Sequence, residues 1–128
     1  MRVWERCHYV LITTERDDTL LDAAGRMNCY QIGALPVYEQ HRLIGIITER
    51  DIVAALAEGA DPVTTTVADS MTDRPVTVAP DDDLAVAIQR MADLGVRHLP
   101  VVEGYRLLGV LSMRDLLATQ PTMPTPTA

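Results

Sequence analysis

The sequence predicts an α/β (α+β) fold: two β-α-β-β-α units related by a pseudo-twofold axis, with their sheets packed together into one core. Three observations carry this expectation. Shifted by 64 residues, the chain matches itself without a gap. Within each copy, short apolar runs alternate with segments whose apolar residues recur at helical spacing. A unit of about 45 residues is also too small to bury both faces of a sheet alone, so two copies must cover each other.

The duplication is specific. Between residues 13–54 and 77–118, 17 of 42 positions are identical. Leu35-Pro36-Val37 falls on Leu99-Pro100-Val101, Arg42-Leu43 on Arg106-Leu107, and Arg50-Asp51 on Arg114-Asp115.

Each element follows from its residues. Apolar runs at 10–13 and 76–78 predict an opening strand in each unit. The acidic pairs that follow, Asp17-Asp18 and Asp81-Asp82 with Asp83, suit the positive end of a helix. Leu20, Ala23, Ala24 and Met27 then recur at helical spacing, as do Leu84, Ala87, Ile88, Met91 and Leu94. Gly95 reads as a helix stop. Two strands come next in each unit, 34–38 with 43–48 and 98–103 with 106–112. The short links Gln40-His41 and Gly104-Tyr105 make each pair a hairpin. Helices over 49–58 and 113–119 close the units. The first unit is thus 8–58 and the second 74–119. Residues 59–73 link them, with a helical turn at 68–71. The Pro- and Thr-rich tail, 120–128, predicts disorder.

Composition excludes several function classes. The 128 residues carry 18 acidic side chains against 11 basic ones, all arginine, for a net charge of -7. That field repels nucleic acid and anionic membrane, although a local basic pocket for a small anion remains open. No apolar run approaches the roughly 20 residues that span a bilayer. The first residues carry no apolar core of a secretory signal, so the expected location is cytoplasmic. Cys7 and Cys29 are too few for a disulfide framework, and no Cys/His cluster has zinc-ligand spacing. They read as small hydrophobes, with a redox role for Cys7 as the alternative. His8, His41 and His98 stand apart, and no nucleophile–base spacing appears, so no catalytic residue is expected.

The informative segments are Gly45-Ile46-Ile47-Thr48-Glu49-Arg50-Asp51 and Gly109-Val110-Leu111-Ser112-Met113-Arg114-Asp115. Each falls where a strand passes into a helix. Two readings stand side by side. Thr48 with Asp51, and Ser112 with Asp115, form capping boxes that need no ligand. Alternatively, hydroxyl, Arg and Asp within four residues suit a nucleoside phosphate. The hydroxyl and Arg50 or Arg114 would hold phosphate, while Asp51 or Asp115 would accept hydrogen bonds from a ribose diol. An adenine would then lie against Gly33, Ala34 and Pro36, or Val96, Arg97, His98 and Pro100, with Thr13 and Thr77 beside them. Arg97 and His98 would make one site more polar.

These motifs resemble the CBS domain. The whole chain is similar to a stand-alone tandem CBS pair, or Bateman module, of the small actinobacterial hypoxic-response type. The resemblance rests on Leu35-Pro36-Val37 with Gly45 through Ile52, and on Val96 through Val102 with Gly109 through Leu116. Val67-Ala68-Asp69-Ser70-Met71-Thr72 matches the usual lead-in to a second unit. The resemblance implies a regulatory module, not an enzyme, that binds AMP, ADP or ATP, or S-adenosylmethionine, between its units. A module that binds no ligand and acts on partners is the other reading. It also implies a homodimer and an effector protein acted upon, with no cofactor required. Asp51 and Asp115 correspond to the family's ribose ligands, and Thr48 and Ser112 to its phosphate ligands. One departure is visible: the first unit lacks the Met-Thr lead-in and has Trp4, Cys7 and Tyr9 there. The missing segment is expected to line the Thr48/Asp51 site. Trp4 and Tyr9 either cover a sheet edge or extend the dimer surface.

Overall fold

The computed structural model describes residues 1–7, 9 and 11–118, without the side chains of Asp115, Leu117 and Ala118. The first unit holds α1 (Leu20–Tyr30), β1 (Ala34–Glu39), β2 (Arg42–Thr48) and α2 (Glu49–Ala57). A crossing segment follows, with α3 (Val67–Ser70) and β3 (Thr72–Asp73). The second unit repeats the order as α4 (Leu84–Leu94), β4 (His98–Glu103), β5 (Arg106–Ser112) and α5 (Met113–Ala118). The expected disordered tail, 120–128, lies outside the described residues.

Local chemistry sets the boundaries. Thr19 caps α1, its hydroxyl accepting from the Asp22 N–H at 3.1 Å while Asp22 accepts from the Thr19 N–H at 3.0 Å. Asp83 caps α4 through the Ala85 N–H. Both helices end in a left-handed residue, Gln31 and Gly95. The β1–β2 turn is Gln40-His41, both at positive φ, which matches the twist of a two-residue hairpin.

The expected opening strands shrink to single parallel bridges, Thr14 on Val37 and Val78 on Val101. Proline is the reason. Thr14 donates to the Pro36 carbonyl and accepts from the Tyr38 N–H. Extending the ladder back to Ile12 would need a donor at Pro36, which has none. Pro100 truncates the second ladder in the same way. Val10, assigned to the first strand from sequence, lies outside the described residues.

Residues expected as linker complete the first unit. β3 pairs with β2, so its sheet runs β1-β2-β3. Val67 donates to Asp18, Leu20 donates to Thr65, and Thr66 bridges Thr19. The N-terminal residues do the same for the second unit. Val3 donates to Asp82, Leu84 donates to Met1, and Arg2 bridges Asp83. Val3 and Val67 are both fully buried. Sequence shows the repeat from Thr13 onward; the structure extends it to the first residue.

The buried side chains gather in two clusters. One contains Leu20, Met27, Leu35, Ile47 and Val67; the other contains Val3, Met91, Leu99, Val101 and Leu111. Each fully buried aliphatic stabilises the fold by about 1.5–3 kcal/mol relative to exposure. The units meet where β2 lies against β5.

Candidate functional site

Two clefts open between the units, related by the repeat. The larger has a volume of about 540 Å³. Thr48, Arg50 and Asp51 enter it from the β2–α2 corner, and Val96, Arg97 and His98 face them from the approach to β4. Arg74, Pro75 and Val76 of the crossing segment close a third side, and Gly33 also lines it. The smaller cleft, of about 300 Å³, sets Ser112 and Arg114 against Gly33, Ala34 and Pro36. Ile12 and Val110 add apolar wall, and Arg97 and His98 line this cleft as well.

The capping box at Thr48 is formed. The Asp51 N–H donates to the Thr48 hydroxyl at 3.2 Å, and the Thr48 N–H donates to Asp51 Oδ2 at 2.9 Å. Capping does not exhaust the carboxylate, because Oδ1 remains an acceptor on a half-buried group at the cleft wall. Ser112 is buried, at 8% exposure. The Asp115 side chain lies outside the described residues.

Three expected site residues are misplaced. Thr13 and Thr77 line neither cleft; their neighbours Ile12 and Val76 do. With the opening strands cut to one bridge, strand alternation no longer dictates which residue faces the ligand space. Pro100 is buried in β4 and lines neither cleft, whereas its counterpart Pro36 lines the smaller one. The departure at the N-terminus also bears on the other site. The Thr48/Asp51 cleft takes its wall from Thr72 and Arg74. The N-terminal stretch packs on the second unit and leads into Ile12 of the smaller cleft.

Sequence reasoning missed Arg74 of the larger cleft and, with more consequence, Glu49. It lines both clefts, and a Cβ on Gly33 would stand 2.6 Å from its Oε1 and 3.4 Å from His98 Nε2. Its backbone N–H donates to the Gly33 carbonyl at 3.0 Å. The repeat held the signal: Glu49 aligns with Met113, the one position of the motif 45–51 where the units differ in charge. Among the described residues, no group of His, Cys, Asp and Glu could hold a metal ion, and no helix is long and apolar enough to cross a membrane.

Comparison with known proteins gives the class. The CBS domain family matches residues 8–58 and 67–121, so the chain belongs to the CBS domain family as a tandem pair, a regulatory module. It is 37% identical over 107 residues to the mitochondrial CBS domain-containing protein CBSX3 of Arabidopsis thaliana, covering 79% of this chain but 52% of that one. The chain thus spans about half the length of that relative. It is 35% identical over 106 residues to hypoxic response protein 1 of Mycobacterium tuberculosis, covering 81% of this chain and 74% of the relative. Among solved structures, it resembles a CBS domain pair in complex with 5′-methylthioadenosine and S-adenosyl-L-methionine. That likeness has a TM-score of 0.85 at 27% identity, over 92% of this chain and 94% of the other.

Proposed function

We propose that the chain senses an adenine nucleotide, AMP, ADP or ATP, in the larger cleft and passes its occupancy to an effector protein. One observation carries this reading: a single cleft joins Thr48, Arg50 and Asp51 of one unit to Arg97 and His98 of the other. Arg50, Arg74 and Arg97 supply positive charge for phosphate. Asp51 lines the cleft with its Oδ1 left over from the cap to accept from a ribose, and Ile46, Val76 and Val96 supply an apolar wall for the base. The volume falls within the usual range for a small-molecule site, about 300–1,000 Å³. A ligand gripped by both units biases their relative arrangement by its difference in affinity for the two states. The role is regulatory rather than catalytic, and the expected setting is cytoplasmic. Leu21 on α1 and Val53 and Leu56 on α2 are exposed, which suits burial in a homodimer.

A second reading has its own support. The smaller cleft is walled by Ile12, Ala34, Pro36 and Val110, and a structural relative was solved with 5′-methylthioadenosine and S-adenosylmethionine. S-adenosylmethionine, with a cationic sulfonium in place of phosphates, is the alternative ligand.

The test is a thermal-shift titration with AMP, ADP, ATP, GTP and S-adenosylmethionine, repeated on Asp51→Asn. Asparagine keeps one acceptor for the cap and loses the second carboxylate oxygen. An adenine nucleotide should raise the melting temperature of the wild type, by about 2.7 kcal/mol of stability at 100 times Kd. Asp51→Asn should melt near the unliganded wild type and lose that response. Equal nucleotide responses in both proteins would remove Asp51 from the site. No response to any adenine ligand would leave the partner-binding module that needs no ligand.

A further inference from the structure

The two clefts are not equivalent copies. The repeat sets Gly33 and Ala34 opposite Arg97 and His98, so the basic pair exists once. Each cleft has its own arginines, Arg50 and Arg74 in the larger and Arg114 in the smaller. Arg97 and His98 line both, as does Glu49. Glu49 and His98 converge on Gly33, at the partition. We infer that the two clefts share one basic pair, Arg97 and His98, so that a phosphate-bearing ligand in one weakens a phosphate-bearing ligand in the other. This rests on the nucleotide reading above and adds regulation to it.

The physical argument is one of allocation. A guanidinium that grips a phosphate does so through directed N–H bonds, and its rigid fork is then oriented to one partner. With Arg97 turned to the larger cleft, the smaller keeps Arg114 as its own arginine, with Glu49, whose charge opposes an anion, in the same lining. With Arg97 turned to the smaller cleft, the larger loses one of its three arginines. Linkage makes the effect reciprocal. An uncharged nucleoside makes no demand on the pair, so it fills one cleft without cost to the other. The chain would then hold one nucleoside phosphate with high affinity, and a second adenine ligand well only if that ligand carries no phosphate.

Calorimetry with AMP and with adenosine, on the wild type and on Arg97→Ala, tests this. Arg97 is exposed, so its truncation leaves the core intact. The wild type should bind two AMP with stepwise affinities about 5- to 150-fold apart, or only one AMP, and two adenosines within about threefold of each other. Arg97→Ala should weaken the first AMP and bring the AMP steps close to the adenosine ratio. Two AMP steps as close as the adenosine steps in the wild type would overturn the inference. So would an AMP ratio unchanged in Arg97→Ala, or a single equivalent of both ligands, and these leave the nucleotide reading standing. No binding of AMP or adenosine by the wild type overturns both.

Discussion

Two glycines show how single residues constrain this molecule. A Cβ on Gly45 would lie 2.6 Å from Met71 Sδ and 2.9 Å from the Thr72 carbonyl oxygen. The sulfur belongs to a flexible side chain, but the carbonyl is backbone of β3, which pairs with β2 at this point. Gly45→Ala must displace the edge strand, and overpacking of this kind costs about 1–3 kcal/mol. Gly33→Ala meets the end of the Glu49 side chain, which can swing away. Urea denaturation should therefore show a larger loss for Gly45→Ala than for Gly33→Ala; the reverse order would contradict this account. The cysteines divide at the same scale: Cys29 is exposed on α1, so the reading as a small hydrophobe holds for Cys7 alone. Cys7 packs against the second core, and burial pushes its thiol above the usual 9.0 despite a hydrogen bond with Tyr9. A thiol held protonated at neutral pH packs as a small hydrophobe and makes a poor redox switch.

At the scale of elements, the turn before α1 couples the fold to pH. Asp18 accepts from the Thr14 hydroxyl at 2.8 Å, the Glu15 N–H at 2.9 Å and Arg26 Nη1 at 2.6 Å. Partial burial pushes its carboxyl up, but these hydrogen bonds and the Arg26 charge outweigh it and hold the group below the ordinary 3.8. A pKa lowered by folding adds stability that is fully present above the unfolded value and is lost as pH falls through the folded one. Thermal midpoints should therefore drop below pH 3.8 partly through Asp18, and Asp18→Asn should flatten that acid limb while lowering stability near neutrality. Parallel acid limbs in both proteins would assign the loss to other carboxylates. The element scale is also where the sequence was most legible. Helices, caps and hairpins follow from local patterns, and β4 and β5 have the expected bounds. The opening strands failed because Pro36 and Pro100 remove donors from a ladder whose register only the fold reveals. Thr48, Arg50 and Asp51 meet at one cleft because three of four consecutive residues must share a corner. Glu49 escaped notice because its role depends on Gly33 and His98, which the chain brings together only in three dimensions.

At the scale of the whole molecule, the chain crosses between its units twice. Residues 1–7 pack on the second unit, and 65–73 pack on the first, each burying one valine completely. Neither unit is finished by its own consecutive residues, and β2 lies against β5 between them. Loss of the first unit would free the crossing segment that leads into the second, and would expose the face of β5 that β2 covers. Unfolding should therefore be one cooperative event. Trp4, the only tryptophan, sits in the segment docked on the second unit and reports there, while far-UV circular dichroism reports on both. Val3→Ala and Val67→Ala each remove buried methyl groups, one from each core, and should each cost about 1–3 kcal/mol. The decisive case is Val67→Ala, whose lesion lies in the first unit while the fluorophore lies in the second. If the units fold as one, Trp4 fluorescence and circular dichroism shift together to lower urea. A circular dichroism transition that moves while the Trp4 transition stays in place would mean that the crossings tether two independent units, and ligand in a shared cleft would then have to supply the coupling between them.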